Sequence, residues 1–256
     1  MQPLLYFSYG MTKTGSTLAF QLVRTALDLC GFPQDRVELD VIRARSRWNF
    51  VSHISDRQLD ELRQEARKRG YPIALKTHTR PDPGIVKMMQ SGEAVAHACY
   101  RDPRDMALSM LDHGERARQA GNEAFSELTS LPQALENIRH QHNSLTAWLR
   151  LPGTLPLYFE DIAFDTVATA RRILKQLKLN LDPEVLADVV TTQRFTQKNK
   201  ALRLRFPEEM SEIDSASIAT EYTPLLERFI KNRHSLPDDG HITLPPPLHL
   251  RTSATE

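Results

Sequence analysis

The stretch SYGMTKTGST, residues 8–17, constrains the fold of this chain more than any other. Gly10 and Gly15 stand in the Gly-x4-Gly frame of a phosphate-binding loop, with Ser16 and Thr17 behind them. Ahead of the loop, PLLYFSY (3–9) is a short apolar run that reads as a buried strand. Behind it, apolar residues recur at Leu18, Leu22 and Ala26, and at Ala19, Val23 and Leu27, which is helical spacing; Gly31 and Pro33 supply a stop. Strand, glycine turn and helix in that order aim backbone N–H groups and the positive end of a helix dipole at an anion. One position departs from a nucleotide triphosphatase. There a lysine follows the second glycine directly; here that place is Ser16, and Lys13 lies two residues before Gly15.

The rest of the chain fits a parallel sheet covered by helices. PIALKTH (72–78), AVAHACY (94–100) and LPLYF (155–159) read as three further strands. Ser55 and Gln58 form a capping-box pair that opens a helix closed by Gly70, and its narrow stripe of Leu59, Leu62 and Ala66 suits the surface. Asp102 and Pro103 read as the N-cap and first residue of another helix, and helical patterns follow at 165–178, 183–192 and 216–233. The expectation is a single α/β domain over residues 1–235: a central parallel sheet flanked by helices, opening with a P-loop-like strand–loop–helix. The Pro-rich segment 236–256 is expected to be an extended or mobile tail.

Charge and cysteine content exclude several classes. A formal net charge of +1 provides no field toward nucleic acid or a membrane surface, so anion binding must come from local clusters. The two cysteines, Cys30 and Cys99, suit a reducing compartment and rule out a cysteine-rich zinc site. There is no apolar run of about 18 residues and no signal-like N-terminus, so a soluble cytoplasmic protein is expected. Partners are expected to be small molecules, with neither nucleic acid nor membrane among them; oligomeric state is not legible.

In a parallel sheet the strand C-termini gather at one edge, where ligands bind. Lys13, Lys76, His78 and Arg101 would converge there. Lys76 and His78 are two apart, so in an extended segment both side chains share a face. An imidazole titrates near working pH and suits a general base. The fork of an arginine matches a phosphate. No strand ends in the lone Asp expected of a magnesium site.

These residues resemble those of the sulfotransferases that use 3′-phosphoadenosine 5′-phosphosulfate (PAPS). KTGST (13–17) is similar to their KSGTT loop, and KTH (76–78) to the Lys-Thr-His after their next strand. RDPRDMALS (101–109) resembles their R-[ND]-P-[KR]-D-x-x-x-S motif, and YFEDI (158–162) their YEDL segment. The resemblance implies transfer of a sulfuryl group from PAPS to a hydroxyl or amine of a small acceptor, with PAP as product and no metal. Lys13 would reach the 5′-phosphate and the bridging oxygen, within a loop completed by Thr14, Gly15, Ser16 and Thr17. His78 would remove the acceptor's proton, Lys76 would stabilise the sulfuryl oxygens, and Arg101 and Ser109 would hold the 3′-phosphate.

The chain departs from the family pattern in places. Leu18 stands where the family's loop often ends in Trp, and Phe159 stands at the tyrosine of YEDL, with Tyr158 one place earlier. RFTQKN (194–199) is loosely similar to a later Ser-Phe segment, which nominates Phe195 to stack on adenine. The family's Arg-Lys-Gly loop has no clean match, but QKNKALRLR (197–205) is basic and nominates Lys200 and Arg203 for the 3′-phosphate. Within RARSRWNFVSH (43–53), Trp48 and Phe50 suit an apolar acceptor, whereas Arg43, Arg45 and Arg47 suit an anionic one. Two rival readings stand beside this one. An ATP-dependent P-loop kinase is favoured by the glycine frame and opposed by the position of Lys13. A non-catalytic PAP-binding protein would keep Lys13, Arg101 and Ser109 but would not need His78.

Overall fold

A computed structural model of the chain describes residues 3–44, 46–123, 125–194 and 204–232. Phe195, Lys200, Arg203, Arg45 and the segment 236–256 lie outside the described residues. The first strand, β1 (Leu5–Gly10), runs into α1 (Ser16–Leu29) across the glycine loop. Then come α2 (Asp56–Arg69), β2 (Ile73–Thr77), α3 (Pro83–Gln90), β3 (Ala94–Tyr100) and α4 (Pro103–Gln119). The second half holds α5 (Leu131–Leu149), β4 (Thr154–Tyr158), α6 (Phe159–Phe164), α7 (Thr166–Leu177) and α8 (Pro183–Gln193). Last come the short α9 (Phe206–Glu209) and α10 (Glu212–Asn232).

All pairings in the sheet are parallel, in the order β2-β1-β3-β4. Every residue of β1 and β3 is buried, as expected of central parallel strands covered on both faces. The period-two alternation of β1 divides the core. Leu5, Phe7 and Tyr9 point into one cluster, with Leu59 and Leu62 of α2, Met88 of α3, Met106 of α4 and Trp148 of α5. Tyr6 points into the other, with Leu22 of α1, Ile173 of α7 and Leu186 of α8. The chain leaves β1 for β2 on one side and returns to β3 on the other. That reversal opens a crevice beyond the C-terminal ends of β1 and β3, which is where α/β sheets bind ligands.

The α/β architecture and parallel sheet follow the sequence expectation, with differences in detail. The fourth strand ends at Tyr158 rather than 159, because Phe159 already begins α6. α3 and α5 lie outside the sequence reading, although both carry a signal. Asp82 and Pro83 repeat the Asp102–Pro103 start, and Ser130 with Gln133 forms a capping box. The stripe of α5 is buried at Ala134, Ile138, Gln141, Leu145 and Trp148, a regular alternation of three- and four-residue steps. No helix among the described residues is long and apolar enough to cross a membrane.

Candidate active site

The glycines of the loop have different tasks. A Cβ on Gly10 would collide with the Cβ of Ser16, so glycine is what lets α1 begin directly over the end of β1. Gly15 is left-handed, with φ of 72°, a conformation that costs glycine little. As the N-cap of α1 it supplies no side-chain acceptor for the first-turn N–H groups, which suits a bound anion. Lys13 is also left-handed, with φ of 65°. Thr14, fully buried, donates its hydroxyl to the Met11 carbonyl at 2.6 Å and pins the turn from inside.

A second clasp comes from α5. The Thr12 N–H donates to Gln141 Oε1 at 2.6 Å, and Gln141 Nε2 donates to Thr12 Oγ1 at 2.9 Å. Tyr9 Oη donates to the Gln141 carbonyl at 2.9 Å. Gln141 is a loop-holding residue that sequence reasoning missed, along with the helix that carries it.

The end of β2 brings the next groups. Residues 49–51 run beside it: the Lys76 N–H donates to the Asn49 carbonyl at 2.8 Å, and the Val51 N–H to the Lys76 carbonyl at 2.9 Å. Lys76 is buried; its ammonium donates to Thr17 Oγ1 at 2.7 Å and lies 5.3 Å from the centre of the Trp48 ring. Burial pushes its pKa down to about 8. His78 Nδ1 lies 2.6 Å from the Gly10 carbonyl. A carbonyl can only accept, so Nδ1 carries the proton and Nε2 keeps the lone pair. Burial, then the Lys76 charge, lower the His78 pKa to about 4. The ring of Phe50 is centred 5.5 Å from that of His78, and the Arg43 guanidinium lies 5.6 Å over Phe50.

Cations gather on the β3 side. Lys13, half-buried, has its pKa pushed down to about 8 by burial and by the charges of Arg116 and Arg101, against the pull of Asp112. Its ammonium lies 5.9 Å from the centre of the Phe125 ring. Phe125, which sequence reasoning also missed, is left-handed with φ of 67° and meets His113 edge-on at 5.0 Å. Arg101 is buried, with its guanidinium 3.8 Å over the ring of Phe159 and its Nη2 donating to Asp105 Oδ2 at 3.2 Å. Burial lowers the Arg101 pKa, while Asp105 and Glu160 oppose that shift. Ser109 is buried one turn beyond Asp105 on the same face of α4.

The structure thus brings Lys13, Lys76, His78 and Arg101 to one edge of the sheet. Lys76 and His78 each hydrogen-bond to the loop segment 10–17, and Lys13 feels the charge of Arg101. Phe159 is buried at the start of α6, close enough that a Cβ on Gly15 would lie 3.4 Å from its ring. With Arg101 over it, Phe159 packs between the β3 end and the loop. Among the described residues no group of three or more His, Cys, Asp or Glu side chains could hold a metal ion.

Comparison with known proteins places this geometry in a family. The sulfotransferase domain matches this chain over residues 7–225. No curated protein matches in sequence. Among solved structures, a mouse sulfotransferase complexed with PAP is 12% identical, with a TM-score of 0.51 over 89% of this chain and 85% of that one. A retinol dehydratase in complex with androsterone and inactive cofactor PAP is 15% identical, with a TM-score of 0.47 over 96% of this chain and 84% of that one. A sulfotransferase from Alicyclobacillus acidocaldarius is 12% identical, with a TM-score of 0.40 over 91% of this chain and 96% of that one. At such identities the mouse enzyme speaks for the fold alone. The domain match, which runs from within β1 into α10 and so takes in the loop and all four strand ends, makes this chain a member of the sulfotransferase family.

Proposed function

We propose that this protein transfers the sulfuryl group of PAPS to a hydroxyl or amine of a small acceptor, with His78 as general base. The observation that carries the reading is the hydrogen bond from His78 Nδ1 to the Gly10 carbonyl. It fixes the neutral tautomer whose Nε2 lone pair can take a proton, at the mouth of the loop that suits the donor. The cation cluster fits that donor: Lys13 and Arg101 repel each other, and an anion between them relieves that repulsion.

The donor, when bound, supplies an activated sulfuryl group and leaves as PAP. Lys13 and the N–H groups of residues 13–17 would hold its 5′ side, and Arg101 with Ser109 its 3′-phosphate. Lys76 stands at the other wall of the loop, where its ammonium can meet oxygens that gain charge in the transition state. His78 accepts the acceptor's proton at Nε2. Burial first, and the Lys76 charge second, keep His78 neutral; a bound anion offsets the second of these, so the base strengthens when the donor is present. Phe50 lies beside His78 and Phe125 beside Lys13, so apolar rings flank both the base and the donor lysine. Catalysis of this kind is positioning plus electrostatics.

The deciding assay offers PAPS, in EDTA, with a panel of phenols, aliphatic alcohols, amines and short sugars. Sulfated product and PAP are expected with some member of that panel. Metal-dependent turnover of ATP, with none from PAPS, would restore the kinase reading. PAP binding without turnover of any acceptor would make the chain a PAP-binding protein.

The pH dependence is a second expected result. Lys13 and Lys76 must be cationic to engage the donor, and both titrate at about 8 in the free protein. kcat/KM for the donor, which reports the free enzyme, should therefore fall above about pH 8. A bound anion raises both pKa values, so kcat should hold to higher pH. The acid limb of kcat/KM should lie near 4, where His78 gains its proton. A kcat/KM that stays level to about pH 10 would remove Lys13 from donor binding and Lys76 from the transition state.

A further inference from the structure

Asp105 is fully buried, at 0% exposure, and its two oxygens serve different elements. Oδ2 accepts from Arg101 Nη2 at 3.2 Å; Oδ1 accepts from the backbone N–H of Phe206, the first residue of α9, at 3.1 Å. Two neighbours strengthen the second connection. The Arg104 guanidinium lies 3.5 Å over the Phe206 ring, and Arg205 reaches Asp112 of α4 at 3.0 Å. The start of α9 is thereby held against α4 from three points.

A carboxylate removed from water is costly unless it is paired and hydrogen-bonded. Asp105 meets that condition, but its location raises an electrostatic question. A negative group beside an arginine that binds phosphate weakens the attraction of that arginine for the phosphate. A compensating gain must be geometric. A guanidinium is planar and its donors form a fixed fork, so it recognises a phosphate only when its plane is correctly set. The plane of Arg101 is set from two directions, by the Phe159 ring beneath it and by Asp105 at its Nη2. Asp105 and Ser109 are four residues apart on α4, so the carboxylate that holds Arg101 rides on the same helical face as the serine.

We infer that Asp105 is a positioning residue of the donor site: it orients Arg101 toward the 3′-phosphate and locks that corner to the start of α9. The inference rests on the proposed role of Arg101 in holding that phosphate.

The test titrates the full chain with PAP and with AMP, which lacks the 3′-phosphate. Asp105→Asn separates the two duties of the side chain. Its amide oxygen can still accept from the Phe206 N–H, while its NH2 group faces the guanidinium and no longer holds it. The expected result is a loss of PAP affinity on the order of tenfold, with AMP affinity within about threefold of wild type. The thermal midpoint should fall, because a buried guanidinium loses its counter-charge, but PAP and AMP are compared on the same variant, so the difference between them still reads the 3′-phosphate corner. If PAP bound more tightly to Asp105→Asn, the carboxylate would only be opposing the anion, and the inference would fall. Equal losses for PAP and AMP would make Asp105 a scaffold residue and overturn it as well. A wild-type protein that bound PAP and AMP equally would overturn the role of Arg101, and the inference with it. Should the amide variant fail to fold, Asp105→Glu, which keeps the counter-charge but moves the carboxylate by one methylene, carries the same comparison.

Discussion

Replacing His78 with alanine should lower kcat by about 10²- to 10⁴-fold while PAP affinity stays within a few-fold of wild type. The size of the effect follows from what a positioned base contributes when the acceptor's proton must leave in the transition state. The small change in affinity follows from where the side chain sits. His78 is half-buried at the end of β2, and its hydrogen bond goes to the Gly10 carbonyl, not to a residue of the cation cluster. Losing that bond costs about 1 kcal/mol and leaves the loop held by Thr14 and Gln141. A second variant, His78→Asn, separates base from brace. Its amide can still donate to the Gly10 carbonyl but has no lone pair suited to take the proton. It should be as slow as the alanine variant. Recovery of near-normal turnover in His78→Asn would show that the residue braces the loop and that another group takes the proton.

Trp148→Ala should destabilise the fold by about 3–5 kcal/mol. Trp148 is fully buried at the C-terminal end of α5, with its ring 5.8 Å from Tyr9 and 5.5 Å from Phe7, centre to centre. Its indole N–H donates to the Thr79 carbonyl at 2.9 Å, one residue after His78. Truncation removes the largest fully buried side chain among the described residues, opens a cavity against β1 and strips a carbonyl of its donor. For a chain of this size each kcal/mol shifts the melting midpoint by roughly 2–4 °C, so a fall of about 10 °C is expected. Trp148→Phe keeps most of the ring and loses the N–H, and should cost distinctly less. A change below about 1 kcal/mol for Trp148→Ala would mean that α5 is not the buttress of this half of the sheet.

Read as a sequence, the chain already carries its local architecture. The apolar run before Gly10, the helical spacing after Ser16 and the Asp102–Pro103 start are set by neighbours a few residues apart, and all three stand in the structure as β1, α1 and α4. The polar strand ends were legible for the same reason. In a parallel sheet, strand direction alone puts Lys76, His78 and Arg101 on the edge that faces the loop. α5 was not read from the sequence: its Ser130–Gln133 capping-box pair is a local signal, but a helix rich in His, Gln and Asn does not announce itself by composition.

Tertiary structure decided the rest, because those contacts join residues distant in the chain. Gly10 sets the His78 tautomer from 68 residues away, and Thr17 receives the Lys76 ammonium across 59. Gln141 clasps Thr12 across 129, and Asp105 reaches the start of α9 across 101. No periodicity or spacing encodes such pairs. Residue type alone allows His78 either tautomer and Lys76 its ordinary pKa. The packed sheet edge draws both away from water, supplies one carbonyl to the imidazole, and thereby selects a neutral imidazole beside an ammonium whose pKa is lowered.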